Sequence, residues 1–306
     1  MGATSHPQLD RLQEVVTALW PDHARFLRNS LAGYGAEDLA AIEDLARRVC
    51  ALAGEDLDTF VRSYRWLCGE MNKEALHFKR RGEYRLSTFA EANAQVYSNG
   101  AFMRRYMEGL LVSQVLWRNH SAAFLYFRQA FLPRLPQPFR YLEIGPGHGL
   151  FLSVAAEHPA CGLAEAWDVS EESLRQTAAA LATVGLHGRV RLELQDIHAP
   201  TRPPGPAAAY DGIAICEVLE HLERPREALQ SLRRFLAPGG TLFINVPINS
   251  PAPDHIYLLR DEAEVREMVT RAGLEVVDLQ LAPMTGYSLA EAQRQKATVN
   301  CFVLAR

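Results

Sequence analysis

From residue 140 onward the chain alternates short apolar runs with amphipathic stretches, and this alternation most narrows what it can fold into. Strands are expected near 140–144, 163–168, 190–194, 211–216, 241–246, 274–279 and 298–304. Helices are expected between them, near 149–158, 171–184, 225–236 and 261–272. Each strand-to-helix step lays a helix on one face of a sheet, so the pattern predicts a mostly parallel sheet covered on both sides. Ligands in such sheets bind at the carboxyl ends of the strands, near the switch in strand order. The first strand ends in YLEIGPGHG (141–149), with glycines at 145, 147 and 149 opening a helix. Strand, glycine turn and helix in that order let backbone approach a ligand closely.

Residues 1–132 have a different texture. DLAAIEDLARRVCALAG (38–54) repeats apolar residues at three- and four-residue steps and stops at Gly54. DTFVRSYRWLCGEMNKEALHFKR (58–80) keeps that rhythm, and the apolar stretch from Ala101 reads as two helical segments or one bent near Arg118-Asn119. PRLPQPF (133–139) breaks the helices with three prolines. The expected organisation is a helical cap over 1–132, a proline-rich linker over 133–139 and a sheet domain over 140–306.

Composition excludes several classes. Apolar residues are 48% and charged residues 22% of the 306, proportions of a globular protein with a sizeable core. A net charge of −4 gives no long-range attraction to nucleic acid or anionic membrane. The basic run HFKRRGEYR (77–85) is short and interrupted by Glu83, as befits a helix end in water. Five scattered cysteines without a CxxC pair suit a reducing compartment. The start, MGATSHPQLD, has no basic segment before an apolar one, and no window reaches 18 apolar residues. The expectation is a cytoplasmic protein with no signal peptide and no membrane span.

The glycine turn itself points to a kind of nucleotide. A dinucleotide turn reads GxGxxG, whereas GPGHG brings its third glycine one residue early and stiffens the turn with Pro146. Glu143, two residues before the first glycine, would repel a pyrophosphate but can accept hydrogen bonds from an ammonium group. The ligand expected is a positively charged adenosine compound.

With these residues on the page, a resemblance follows. The stretch 141–149 resembles the first motif of class I S-adenosylmethionine (SAM)-dependent methyltransferases, and four more motifs follow in order. They are AEAWDVSEESL (164–174), LELQDIH (192–198), YDGIAICEVLEHLERP (210–225) and FLAPGGTLFINVP (235–247). The resemblance covers 139–306 and implies an α/β fold, a seven-stranded Rossmann-like sheet of order 3-2-1-4-5-7-6 with the last strand antiparallel. It implies SAM held by Glu143, Gly145, Gly147 and Gly149, with Asp168 on the ribose hydroxyls beside Val169. Asp196 would take the adenine amino group, Ile197 would pack on the ring, and Cys216 and Glu217 would line the pocket. Singly, Asp168 is as well read as a helix cap and Asp196 as a turn residue.

The reaction is less determined by these motifs. SAM carries its own reactivity, so the protein must position a nucleophile and exclude water. His221 and His255 are candidate general bases, because imidazole titrates near neutrality. Tyr106, Asn249 and Asn300 complete the candidate catalytic set, the last two expected at the strand-end rim. Glu217, Glu220, His221 and His255 resemble a metal-binding set in some relatives, but EVLEH also occurs in metal-free ones, and a divalent metal is not expected. Tyr97, Gln114, Trp117, Asn119 and His120 are polar-tipped residues in the helical region, where core positions are the commoner fate. A large helical addition favours an enclosed pocket for a small-molecule substrate, and its helices could also pair two copies as a homodimer.

Three readings remain. The first is a small-molecule methyltransferase, as in secondary metabolism, acting on an O, N or activated C nucleophile. The second rests on YSNGAFMRRYMEGLLVSQVLWRNH together with APDHIYLL, which looks similar to methyltransferase-like enzymes that cyclise SAM to azetidine-2-carboxylate and methylthioadenosine. The third is a non-catalytic SAM-binding protein.

Overall fold

A computed structural model describes residues 6–205 and 209–306. Residues 1–5, the beginning of the stretch read for a signal peptide, lie outside the described part. In chain order the helices and strands are α1 (Pro7–Leu19), α2 (Ala24–Leu31), α3 (Ala36–Ala53), α4 (Leu57–Arg81), α5 (Phe89–Ala92), α6 (Gly100–Leu116) and α7 (Arg118–Tyr126), then β1 (Phe139–Ile144) and α8 (Leu150–Glu157). They continue as β2 (Cys161–Asp168), α9 (Glu171–Thr183), β3 (Val190–Leu194), β4 (Tyr210–Cys216), α10 (Pro225–Arg233) and β5 (Leu236–Ile248). The last are α11 (Glu262–Arg271), β6 (Val276–Pro283), α12 (Leu289–Gln295) and β7 (Val299–Ala305).

The strands form one seven-stranded sheet in the order β3-β2-β1-β4-β5-β7-β6. β1 pairs parallel with both β2 and β4, β2 with β3 and β4 with β5. The last strand runs the other way. Glu275 and Arg306 exchange backbone hydrogen bonds while Met284 bonds to Thr298, so numbers rise along one strand as they fall along the other. This is the class I methyltransferase sheet that the motifs implied.

Contacts gather the chain into two compact units. One holds residues 1–125, 250–256 and 282–299, and the other holds 126–249, 257–281 and 300–306. That grouping differs from three consecutive pieces: the boundary falls at Tyr126, and two later segments join the helices. β1 takes its first residue, Phe139, from the end of the expected proline linker.

The helical unit is built on amphipathic periodicity. α4 buries Leu57, Val61, Tyr64 and Leu67, spaced three or four residues apart, and stops at Gly82. α6 packs along α4, and α1 along both α3 and α4. The break in the long apolar stretch falls at Trp117, whose extended backbone separates α6 from α7. Leu86, Ala92, Val96 and Ile256 form a smaller buried cluster with Tyr97, Phe102 and Met103 against it, so the 250–256 segment is anchored here.

In the sheet unit, Phe127, Phe131, Tyr141, Phe151 and Phe243 stack into one aromatic core. Trp167 meets Tyr210 and Phe235 in a second. These residues come from β1, α8, β2, β4, β5 with the residue before it, and the chain just after α7, so apolar filling fixes the register of the central strands.

Candidate functional site

β1 is the central strand, and its register explains what Glu143 can do. Glu143 lies beside Ala166 of β2 and Ala214 of β4, two small residues that leave room for its carboxyl group. Tyr141, two residues earlier, shares its face and donates its hydroxyl proton to Glu143 Oε2 at 2.7 Å. Glu143 is only 3% exposed. Burial lifts its pKa to about 8, with the Tyr141 hydrogen bond pulling the other way. At neutral pH it therefore carries a proton, where the sequence suggested an ionised acceptor.

The turn after β1 depends on backbone that side chains resist. Gly145 has φ 62°, and a Cβ there would stand 2.7 Å from Val218 Cγ2. Gly147 has φ 51° and open space where its Cβ would be. Its carbonyl accepts the Thr177 hydroxyl at 2.8 Å, which ties the turn to α9. Gly149 then opens α8.

At the end of β2, Asp168 accepts Ser170 N–H at 2.9 Å and the Ser173 hydroxyl at 2.7 Å, one on each oxygen. The carboxylate thus caps the entry to α9 and is held in one orientation. Each oxygen keeps a second lone pair for another donor. Val169 is 62% exposed beside it, a large apolar side chain left in water. After β3, Asp196 accepts the His198 N–H at 2.8 Å in a tight turn that leaves the acid exposed and Ile197 buried.

β4 ends in strain. Glu217 has φ 53°, in the left-handed region unusual for a residue with a Cβ. It leaves the line of a helical turn, so Glu217 does not share a helical face with Glu220 and His221; Leu219–His221 form a short 3-10 turn. Asn300 of β7 donates through Nδ2 to Glu217 Oε1 at 2.7 Å and to Asn245 Oδ1 at 2.9 Å. Both protons of that amide are committed, so Asn300 orients Glu217. Asn249, at φ 48°, donates to the Arg260 carbonyl at 2.9 Å and fastens the chain after β5.

Electrostatically the strand ends are acidic. The Cys216 thiol is pushed well up by burial and then by Glu143, Glu217 and Glu220. His221 Nε2 stands 3.8 Å from Glu220 Oε1. Glu143, Glu217 and Glu220 all act on that one buried thiol, and a ligand that brings positive charge would favour the ionised form of each, Glu143 included.

The remaining candidates lie in the helical unit. Tyr106 donates its hydroxyl to Asp254 Oδ1 at 2.7 Å, both residues buried. His255 Nδ1 lies 2.6 Å from the Ser250 carbonyl, and the Ser250 N–H bonds to the Tyr84 hydroxyl at 3.0 Å. Since a carbonyl only accepts, Nδ1 carries the proton. His120 is buried against Ser113 and Gln114, its pKa lowered to about 4 by burial, and Trp117 donates to Tyr64. Those two belong to the helical core. Asn245, Tyr84 and Tyr141 were not singled out from sequence. The available signal was polarity inside otherwise apolar strands, as in INVP and YLEI.

The pattern of the methyltransferase-domain family matches residues 116–279, and the chain belongs to that family. Membership implies SAM as the cofactor. The strand-end residues fit it: a glycine turn open to close approach, an oriented diol acceptor at Asp168, an exposed Val169 and an acidic interior for a sulfonium and an ammonium. A 152-residue stretch is 28% identical to the uncharacterized protein syc1184_c of Synechococcus sp., over 50% of this chain and 33% of that relative, so the match spans about a third of that protein's length. Among solved structures, the mitomycin 7-O-methyltransferase MmcR is similar over 89% of this chain and 75% of its own, with 16% identity and a TM-score of 0.52. The [4+2]-cyclase SpnF aligns over 60% of this chain and 80% of its own, with 17% identity and a TM-score of 0.48. At these identities the likeness to MmcR speaks for the fold alone. Among the described residues no helix is long and apolar enough to cross a membrane.

Proposed function

We propose that this protein transfers the methyl group of SAM to an oxygen, nitrogen or activated carbon of a small molecule. The observation that carries the reading is the acidic strand-end interior of Glu143, Glu217 and Glu220 beside an open glycine turn. When bound, SAM supplies an electrophilic methyl group on a sulfonium. Asp168 receives the ribose hydroxyls on the lone pairs left by its cap, Asp196 takes the adenine amino group, and Ile197 and Val169 border the ring. Asn300 fixes the Glu217 carboxylate towards the amino-acid end. His221, beside Glu220, is the candidate base that takes the proton the acceptor loses.

A second reading is cyclisation of SAM through its own amino group, which must lose a proton before it attacks; Glu143 could accept that proton only in its ionised form, above about pH 8. Incubating pure protein with SAM, first alone and then with a panel of phenol, amine and enol acceptors, separates the readings by product mass. S-adenosylhomocysteine formed only with an acceptor agrees with methyl transfer. Methylthioadenosine formed from SAM alone replaces it with cyclisation. SAM bound but not consumed in every arm leaves only a binding protein.

A further inference from the structure

A half-open cavity of about 420 Å³ lies on the helical unit, lined by three exposed arginines and two tryptophans. Arg62, Arg65 and Trp66 occupy one face of α4 at three- and four-residue steps, Arg105 comes from α6, and Trp20 follows the end of α1. The cavity is lined by no carboxylate, and none of the three guanidinium groups forms an ion pair among the described residues. In a chain of net charge −4, three unneutralised positive charges around one opening run against the overall sign.

The arginines are also held in place. The Arg65 guanidinium sits 5.4 Å over the Trp20 ring and donates to the Leu19 carbonyl at 3.1 Å. That indole also stacks with His23 at 3.9 Å. Arg105 lies 4.7 Å over Trp66, whose ring meets Phe102 edge-on. Cation–π contacts fix two guanidinium planes before any ligand arrives, which lowers the ordering cost of binding. Each indole carries a guanidinium over its ring, and the three guanidinium groups are the charged part of the lining. Planar guanidinium groups favour doubly acceptor anions, phosphate or carboxylate. The volume suits a small molecule.

The structure assigns this cavity as a binding site for a small polyanion bearing phosphate or several carboxylates, separate from the strand-end site. Tryptophan emission reads it directly, because Trp20 and Trp66 line it. Intact protein is titrated with inorganic pyrophosphate and, in parallel, with trimesate, at ionic strength held constant with sodium chloride. Saturable change with at least one probe is expected, and the probe that binds distinguishes phosphate from carboxylate. The double variant R62Q/R105Q should weaken binding about tenfold or more, while R62K/R105K, which keeps the charges, should weaken it less. Far-UV dichroism and an unchanged SAM titration show that a variant is folded. No saturable change with either probe overturns the assignment. So does equal affinity in a folded R62Q/R105Q variant; if that variant does not fold, equal affinity in a folded R62Q single variant overturns it.

Discussion

Glu143 is where one residue tests the physical account most sharply. Its folded pKa of about 8 lies above the ordinary 4.5, so between those values the folded protein holds a proton that the unfolded chain has lost. Stability contributed by this group is full below pH 4.5 and declines as pH rises through 8. Denaturant melts across that window should show the decline in the parent and a flatter profile in Glu143→Gln, with other titrating groups common to both. Cationic ligand has the opposite preference, because it favours the ionised carboxylate. SAM affinity should therefore rise from pH 6.5 towards about 8, with proton release that calorimetry in buffers of differing ionisation heat can count. Identical pH profiles in parent and E143Q would remove Glu143 from the site. Asp168 offers a cleaner separation of roles: Asp168→Asn keeps an acceptor for Ser170 N–H but loses a charged one. The expected result is a stability change below about 1 kcal/mol and an affinity for SAM lowered about tenfold or more. These residues were legible because the motif order named them. Asn245 and Tyr84 were not, since their partners lie 55 and 166 residues away in sequence and no local spacing announces such a bond.

At the scale of elements, the strand and helix positions follow the apolar periodicity closely, because buried parallel strands leave uninterrupted apolar runs that polar helix faces separate. α12 is not among the helices expected from the sequence. Its start is written locally, in a capping box from Ser288 to Glu291, but it is a helix of only 7 residues with little periodicity. The β2–β3 edge depends on a contact with no sequence signature. Arg202 reaches the fully buried Glu165 at 2.8 Å and the Tyr210 hydroxyl at 2.8 Å, and also pairs with Glu193. Arg202→Met should destabilise the protein by about 2–3 kcal/mol in urea melts, less than a wholly buried pair because the guanidinium is partly in water. Pairing it with Glu165→Gln should recover part of that loss. At the turn after β1, Gly145→Ala must both adopt φ 62° and displace Val218, so about 1–3 kcal/mol of stability and most SAM binding should be lost together.

For the whole molecule, the sheet order and the family are settled by an architecture that the order of five motifs already implied. The regrouping of residues 250–256 and 282–299 with the helices was hidden, because chain separation says nothing about which later loops return to an earlier core. The acceptor is also beyond motif reading: motifs describe how the cofactor is held, whereas acceptor pockets are built from side chains of many elements. Ligand linkage gives a prediction at this scale. SAM at a hundredfold excess over its dissociation constant should add about 2.7 kcal/mol of stability, seen as a raised melting temperature. Calorimetric titration of the pure protein with SAM is the most direct test of the central claim. Saturable heat at one site per chain, much weakened in Asp168→Asn, is the predicted result; the absence of any saturable heat in a folded parent protein would contradict it.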